Sequence, residues 1–364
     1  MTQSVHRITS RRALSLACAS LVLAACDDDS VGPGNELPLT LSGNVVVEDF
    51  ADLGAAGFIL DEGTYHFYAA PGEGETAITA VDLEAGVAWG WTRTTPESND
   101  VGFRLDLRTN SFESLRLPGV DRTIVRGANN LGQVVGLANV RVTSDSYGFV
   151  YEHSSGSMSE VRRPGYTQGA TTDITESGVM VGYSAFGAEG WVHRNGAFEA
   201  LEHPEAGRLF PIEISEQHEI VGLWGDPAAW WDVSHGFRAR LSGSNWIVES
   251  YRVSPDVPTT LNGNTETGEF AGLYWAEGLA GKPTVFTLED WAATPATHPL
   301  PGTTLEPWVD GMADNGWVFG HVIIDHTPVQ SDECGGHGHL HGTECHCDTG
   351  YVQDPNDAGM CIPA

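Results

Sequence analysis

One short pattern, repeated six times, constrains the fold of this 364-residue chain more than any other feature. It reads GVAWGWT at 86–92, GQVVGLA at 132–138, GVMVGYS at 178–184, HEIVGLW at 218–224, GEFAGLY at 268–274 and GWVFGHV at 316–322. The inner glycines are Gly90, Gly136, Gly182, Gly222, Gly272 and Gly320, spaced by 46, 46, 40, 50 and 48 residues. Polar residues precede each copy (LEA, NNL, TES, SEQ, TET, ADN), and the first position is Gly everywhere except His218. A polar turn, a residue free to take positive φ and then an apolar run is the chemistry of a β-hairpin.

A second element recurs between these hairpins: GFIL (57–60), GFRL (102–105), GFVY (148–151), GWVH (190–193), GFRA (236–239) and the degenerate TVFT (284–287). A third short segment follows it, as in SFESLRLPG (111–119), SMSEVRRPG (157–165) and AFEALEHPE (197–205). Each unit is thus three or four short strands joined by Gly/Pro turns, with no long helical periodicity. The VVGL-type strands are apolar at consecutive positions, so both of their faces need cover. Stacked sheets around an axis supply it, and a strand-interior Gly suits close backbone approach there. The expectation is an all-β fold, a six-bladed β-propeller over 41–326; an open β-solenoid or a large sandwich is the alternative.

The pattern GF-x-x … G-x-F-x-x-L-x-x-P-G … N-x-x-G-x-V-V-G resembles the HAF extracellular repeats of bacteria over about residues 57–322. The name-giving His-Ala-Phe triplet is replaced here by Gly-Phe, with SHGF ending at Phe237 the nearest match. The resemblance implies architecture and export, and carries no activity with it.

Residues 1–25 read as an export address. MTQSVHRITSRR (1–12) is basic and ALSLACASLVLAA (13–25) is an apolar run too short to span a bilayer comfortably. Leu23-Ala24-Ala25-Cys26 resembles a bacterial lipobox, which implies a lipid on Cys26 and attachment to the membrane through it; the alternative is an ordinary secretory signal. SRRALSL (10–16) also resembles a twin-arginine signal but lacks its usual Phe and Lys. The polar stretch after Cys26 makes 26–40 a tether. The expected location is therefore the cell envelope, outside the cytoplasm. A net charge of −31 excludes nucleic acid as a partner and gives no electrostatic hold on anionic lipid.

Propellers bind at the axial mouth, and the densest aromatic patch is WGDPAAWWDVSH (224–235), with Trp224, Trp230 and Trp231. These tryptophans make a candidate platform for a glycan or a protein; packing between blades is the alternative use of them. Carboxylates such as Asp226, Asp232, Asp310 and Asp314 are plentiful, but no nucleophile elbow, zincin, P-loop or EF-hand motif is present, and Asp310 and Asp314 read as turn residues beside Gly316. The chain is read as a binding protein without a catalytic residue; a propeller hydrolase acting on a sugar or lactone is an alternative.

Residues 331–364 break the repeat, with Cys334, Cys345, Cys347 and Cys361 in C-x10-C-x-C-x13-C spacing. Four cysteines in an exported tail imply two disulfides, among three pairings. CHCDTGY (345–351) resembles the end of an EGF-like module, truncated by two cysteines, and that resemblance implies Cys334–Cys345 and Cys347–Cys361. His337, His339 and His341 alternate, with His346 nearby. Alternation in an extended segment puts side chains on one face, where they suit Cu(II), Ni(II) or Zn(II). A divalent ion at this tail is the alternative function. The chain otherwise calls for no cofactor, and its oligomeric state is not legible.

Overall fold

The computed structural model describes residues 39–45, 55–72, 74–94, 99–140, 145–184, 189–203, 208–225, 235–276, 283–289, 292–296, 305–324, 338–341, 344–347, 351–354 and 357–363. Among these every regular element is a β-strand. Each repeat unit becomes a four-stranded antiparallel meander. The second unit runs Arg122–Ala128, Gln133–Val140, Asp145–Glu152 and Ser157–Val161; the third runs Gly169–Ile174, Met180–Ser184, Glu189–Arg194 and Ala197–Leu201. The fourth is Arg208–Ile214, Ile220–Gly225, His235–Ser242 and Asn245–Tyr251, and the fifth Thr259–Asn264, Phe270–Tyr274, Thr284–Glu289 and Ala292–Pro295.

An eight-stranded sheet holds two more such groups. One is Glu75–Asp82, Val87–Arg93, Val101–Asp106 and Ser111–Leu115. The other is composite: Leu305–Met312 and Val318–Ile324 take their third and fourth strands from Ala55–Asp61 and Thr64–Tyr68, far upstream in the chain. The two groups are joined by a single parallel pairing, Ala55 with Glu75. GFIL is therefore the third strand of the last group.

The first strand of each group lies against the first strand of the next. The contacts run from Glu75–Asp82 through Arg122–Ala128, Gly169–Ile174, Arg208–Ile214, Thr259–Asn264 and Leu305–Met312, and back to Glu75–Asp82. Apolar clusters fill each interface between neighbouring groups. Phe58 with Leu273 and Val285 is one example, and Val135 with Met180 and Trp191 another. Burial on both faces explains the unbroken apolar runs: Val134, Val135, Val181, Ile220, Val221 and Ala271 are all fully buried. The outermost strands are largely exposed, as Ser111–Leu115 is.

The two sequence repeats meet as one cross-strand pair. Gly90 faces Phe103, Gly136 Phe149, Gly182 Trp191, Gly222 Phe237, Gly272 Phe286 and Gly320 Phe58. Each first strand carries a bulge beside this glycine, and the bulge turns a carbonyl into the space a Cβ would fill. The hairpin turns behave alike. The residue that opens each repeat has positive φ, from 60° to 88° with His218 included, and Gly86 among the six. In the last five units a tight turn closes on it, as in Gly178 N–H to Thr175 C=O at 3.0 Å.

In the tail the backbone makes two hairpins, Gly338–His341 with Glu344–Cys347 and Tyr351–Asp354 with Asp357–Pro363.

Candidate functional site

The bulges build the site. Each skips one residue of the first strand in its register: Thr79, Arg126, Thr172, Ile212, Asn262 and Asp310. A bulge re-aims its side chain, and here all six line cavities at the centre of the ring. They stand ten residues before the repeat glycine, eleven in the first unit. The frame positions are uniform, while these six carry five residue types.

Two cavities meet at this waist, sharing Thr79, Arg126, Ile212 and Asp310 in their walls. One, of about 230 Å³, opens among the hairpin turns and is acidic, with Glu84, Glu176, Glu216, Glu266 and Asp314 around it. Neighbouring turns are tied there: Asn130 Nδ2 donates to Glu176 Oε1 at 2.8 Å, and Glu266 N–H to Asp314 Oδ1 at 2.9 Å. Burial and the charges of Glu176 and Glu266 hold the Glu216 carboxyl above the usual range. The other cavity, of about 350 Å³, opens at the opposite end and is aromatic, walled by Tyr183, Phe210, Trp275 and Trp308 with Leu223 and Leu273.

Just past the waist Asp173 and Glu213 act as clasps. Asp173 Oδ2 accepts the Ile214 N–H at 2.9 Å. Glu213 accepts from Asn264 N–H through Oε1 (3.1 Å) and from Met312 N–H through Oε2 (3.2 Å), so it ties the fourth group to the fifth and the last. Their room comes from glycines, since a Cβ on Gly127 or Gly311 would run into these carboxylates. Burial lifts Asp173 to about 7 and, with the Asp173 charge, raises Glu213 well above the ordinary carboxylate range. Three of the four oxygens thus serve backbone N–H groups, and the pair works as structure. Asp310 is held too, its Oδ2 hydrogen-bonded with His321 Nδ1 at 2.6 Å. Among the described residues no three His, Cys, Asp or Glu side chains converge as a metal set.

Several sequence expectations are altered here. Trp224 is not an open platform: it is 5% exposed, stacked between His203 (4.6 Å) and His235 (4.0 Å), with Nε1 donating to Ser250 Oγ. Burial and the neighbouring charges of Arg252 and His203 lower His235 to about 4, so the His235 imidazole is neutral at pH 7. Asp310 is not a turn residue but a waist residue, while Asp314 does sit in its turn. Trp230, Trp231, Asp226, Asp232, Cys26, Cys334 and His337 lie outside the described residues. In the tail the register sets His339 opposite His346 and Leu340 opposite Cys345, with His341 opposite Glu344 and Gly338 opposite Cys347. Cys361 lies opposite Gln353 in the second hairpin. The waist ring was missed because its signal is an offset from the glycines, at positions with no shared residue type.

No protein-family model matches the sequence, and no curated protein is similar to it. Solved structures are. A putative TolB from Agrobacterium tumefaciens aligns at a TM-score of 0.55 with 12% identity, covering 74% of this chain and 98% of its own. TolB from Acinetobacter baumannii gives 0.47, with 9% identity over 75% of this chain and 64% of that one. The β-propeller domain of the Trilobed protease from Pyrococcus furiosus gives 0.42, with 11% identity over 64% and 71%. The first likeness speaks to fold alone, and the other two are looser. With the closed ring of sheets, it makes this chain an all-β protein of β-propeller type.

Proposed function

We propose that this chain is an exported, lipid-anchored binding protein whose six-bladed propeller engages a glycan or protein at the aromatic end of its axis. One observation carries the reading: the frame repeats one Gly–aromatic pair six times, while the six waist positions diverge beside a cavity walled by aromatic rings. A frame that repeats while its axis does not is a scaffold with one specialised mouth. Against the hydrolase alternative, the carboxylates nearest the waist are engaged with backbone N–H groups or with His321. The test is a glycan array and in-cell cross-linking, each run with wild type and with Trp308→Ala. Loss of signal in the variant is expected; equal signal sinks the reading.

Export and anchoring rest on residues 13–26 and on the HAF-type likeness of the repeats. Cys26→Ser should release the protein from membranes, and retention would refute the lipid on Cys26. In the tail, the strand that carries Cys345 and Cys347 neighbours the one that carries Cys361, which supports a bridge between the two strands; the EGF-like resemblance makes it Cys347–Cys361, with Cys334–Cys345 as the other. Peptide mapping without reduction checks that pairing. A second reading, divalent-metal binding by His337, His339, His341 and His346, is favoured by the register of His339 against His346. Calorimetric titration with Cu(II), Ni(II) and Zn(II) should saturate and vanish when the four are replaced by Ala; absence of saturation removes it.

A further inference from the structure

We infer that the aromatic cavity is built to hold a carboxylate carried on an apolar group, with Arg126 as its counter-ion. The inference rests on the reading that ligands enter at this end of the axis, and it names their anchoring group. Arg126 stands at the waist, half-buried, and forms no hydrogen bond or ion pair with any described residue. The contrast with its neighbours in the sequence is sharp: Arg93, Arg122, Arg162, Arg194 and Arg238 all pair with carboxylates. Arg126 also borders the acidic cavity, yet among the described residues no carboxylate comes within hydrogen-bond or ion-pair distance of it. Its planar donors match a carboxylate in bidentate fashion.

Unmatched donors nearby point the same way. Thr172, the next residue round the waist, is 7% exposed and lines the same cavity, and its hydroxyl has no partner. Trp308, in the opposite wall, has a buried Nε1–H without an acceptor. Buried polar groups are normally paired, so orphaned donors in a cavity wall call for an acceptor from outside. The two oxygens of a carboxylate supply it. Above them the walls are Tyr183, Phe210, Trp275 and Leu273, and about 350 Å³ takes a small aromatic acid or the end of an apolar peptide.

The other charges at the waist do not compete for this role. Asp310 is bound to His321 Nδ1, and Asp173 and Glu213 face the acidic end, where their oxygens accept from the N–H groups of Ile214, Asn264 and Met312. A neutral sugar would leave Arg126 without a counter-ion, and an amine would meet it with like charge.

The test titrates the full chain with phenylacetate, by calorimetry and by tryptophan fluorescence, beside phenylacetamide and phenethylamine. Phenylacetate should saturate, the amide should bind at least about tenfold more weakly and the amine should not bind. Arg126→Gln should weaken phenylacetate at least about tenfold without lowering Tm, and Thr172→Val should weaken it a few-fold. No saturation by phenylacetate up to ~10 mM, or equal affinity in Arg126→Gln, overturns the inference. If that happens while the array or cross-linking signal still depends on Trp308, the carboxylate assignment alone is wrong. If those signals are silent as well, the aromatic mouth is not a binding site and both readings fall.

Discussion

Replacing Gly222 by Ala puts the link between repeat and site under direct strain. Gly222 lies in the second strand of the fourth group, opposite Phe237, beside the bulge that presents Ile212 to the axis. A Cβ there would overlap the Phe210 carbonyl oxygen and stand 2.7 Å from Phe237 Cε1. The ring is 0% exposed and packed between sheets, so it has nowhere to turn. The carbonyl can retreat only if the bulge flattens, which rotates Ile212 and moves Glu213 away from Asn264 and Met312. Overpacking a rigid core costs about 1–3 kcal/mol, and loss of a buried hydrogen bond adds about 1 kcal/mol. A cost of about 3 kcal/mol is expected, a drop in Tm of roughly 6 °C for a domain of this size. The matched control is Gly243→Ala, at φ +64° with nothing within 4 Å of the added Cβ, where the left-handed backbone alone costs about 1–2 kcal/mol. Urea unfolding of both variants with wild type measures the difference. If Gly222→Ala costs no more than Gly243→Ala, close approach to the bulge is not why the glycine repeats.

His218→Gly should raise stability by about 1 kcal/mol, since His218 is the one non-Gly residue among the six turn positions with positive φ (60°); chemical denaturation checks it, and a loss would mean its side chain contributes more than the strain costs. Asp100→Ala should cost about 3 kcal/mol, because Asp100 is 1% exposed and bridges Arg93 (2.5 Å) and Arg122; an unchanged Tm would show the bridge to be idle. For Asp173, raised from 3.8 to about 7, the folded state keeps a proton that the unfolded chain has already lost, so its contribution is full below about pH 4 and is lost as pH rises to about 7. His66, His193 and His235, held neutral by burial, slope the opposite way below about pH 6.5. The expected outcome is therefore a difference: Asp173→Asn gains stability over wild type as pH rises from 5 to 8, and parallel Tm curves would refute it.

Local chemistry was legible because it is written in neighbouring residues. Polar turns, an αL glycine and short apolar runs give hairpins whatever the rest of the chain does, and His218 adopts the φ its position demands. Trp224 takes the packing use rather than the platform because two histidines, one 21 residues before it and one 11 after, cover its faces. Asp310 was misjudged because a bulge, not a turn, sets its direction.

The sequence by itself determined the strand type, the period and the need for cover on both faces, since these depend on residue type and spacing. Only the tertiary structure decided which segments close the ring, because Phe58 and Gly320 pair across nearly the whole repeat region. It alone made one contact of the two repeats, each glycine facing the aromatic residue of the other with a carbonyl of the bulged strand in the space a Cβ would take. It alone brought Arg126, Thr172 and Trp308 to one cavity and sent Glu213 across to Met312. Those positions are set by six bulges acting around a common axis, and an axis is a property of the closed ring that no single repeat contains.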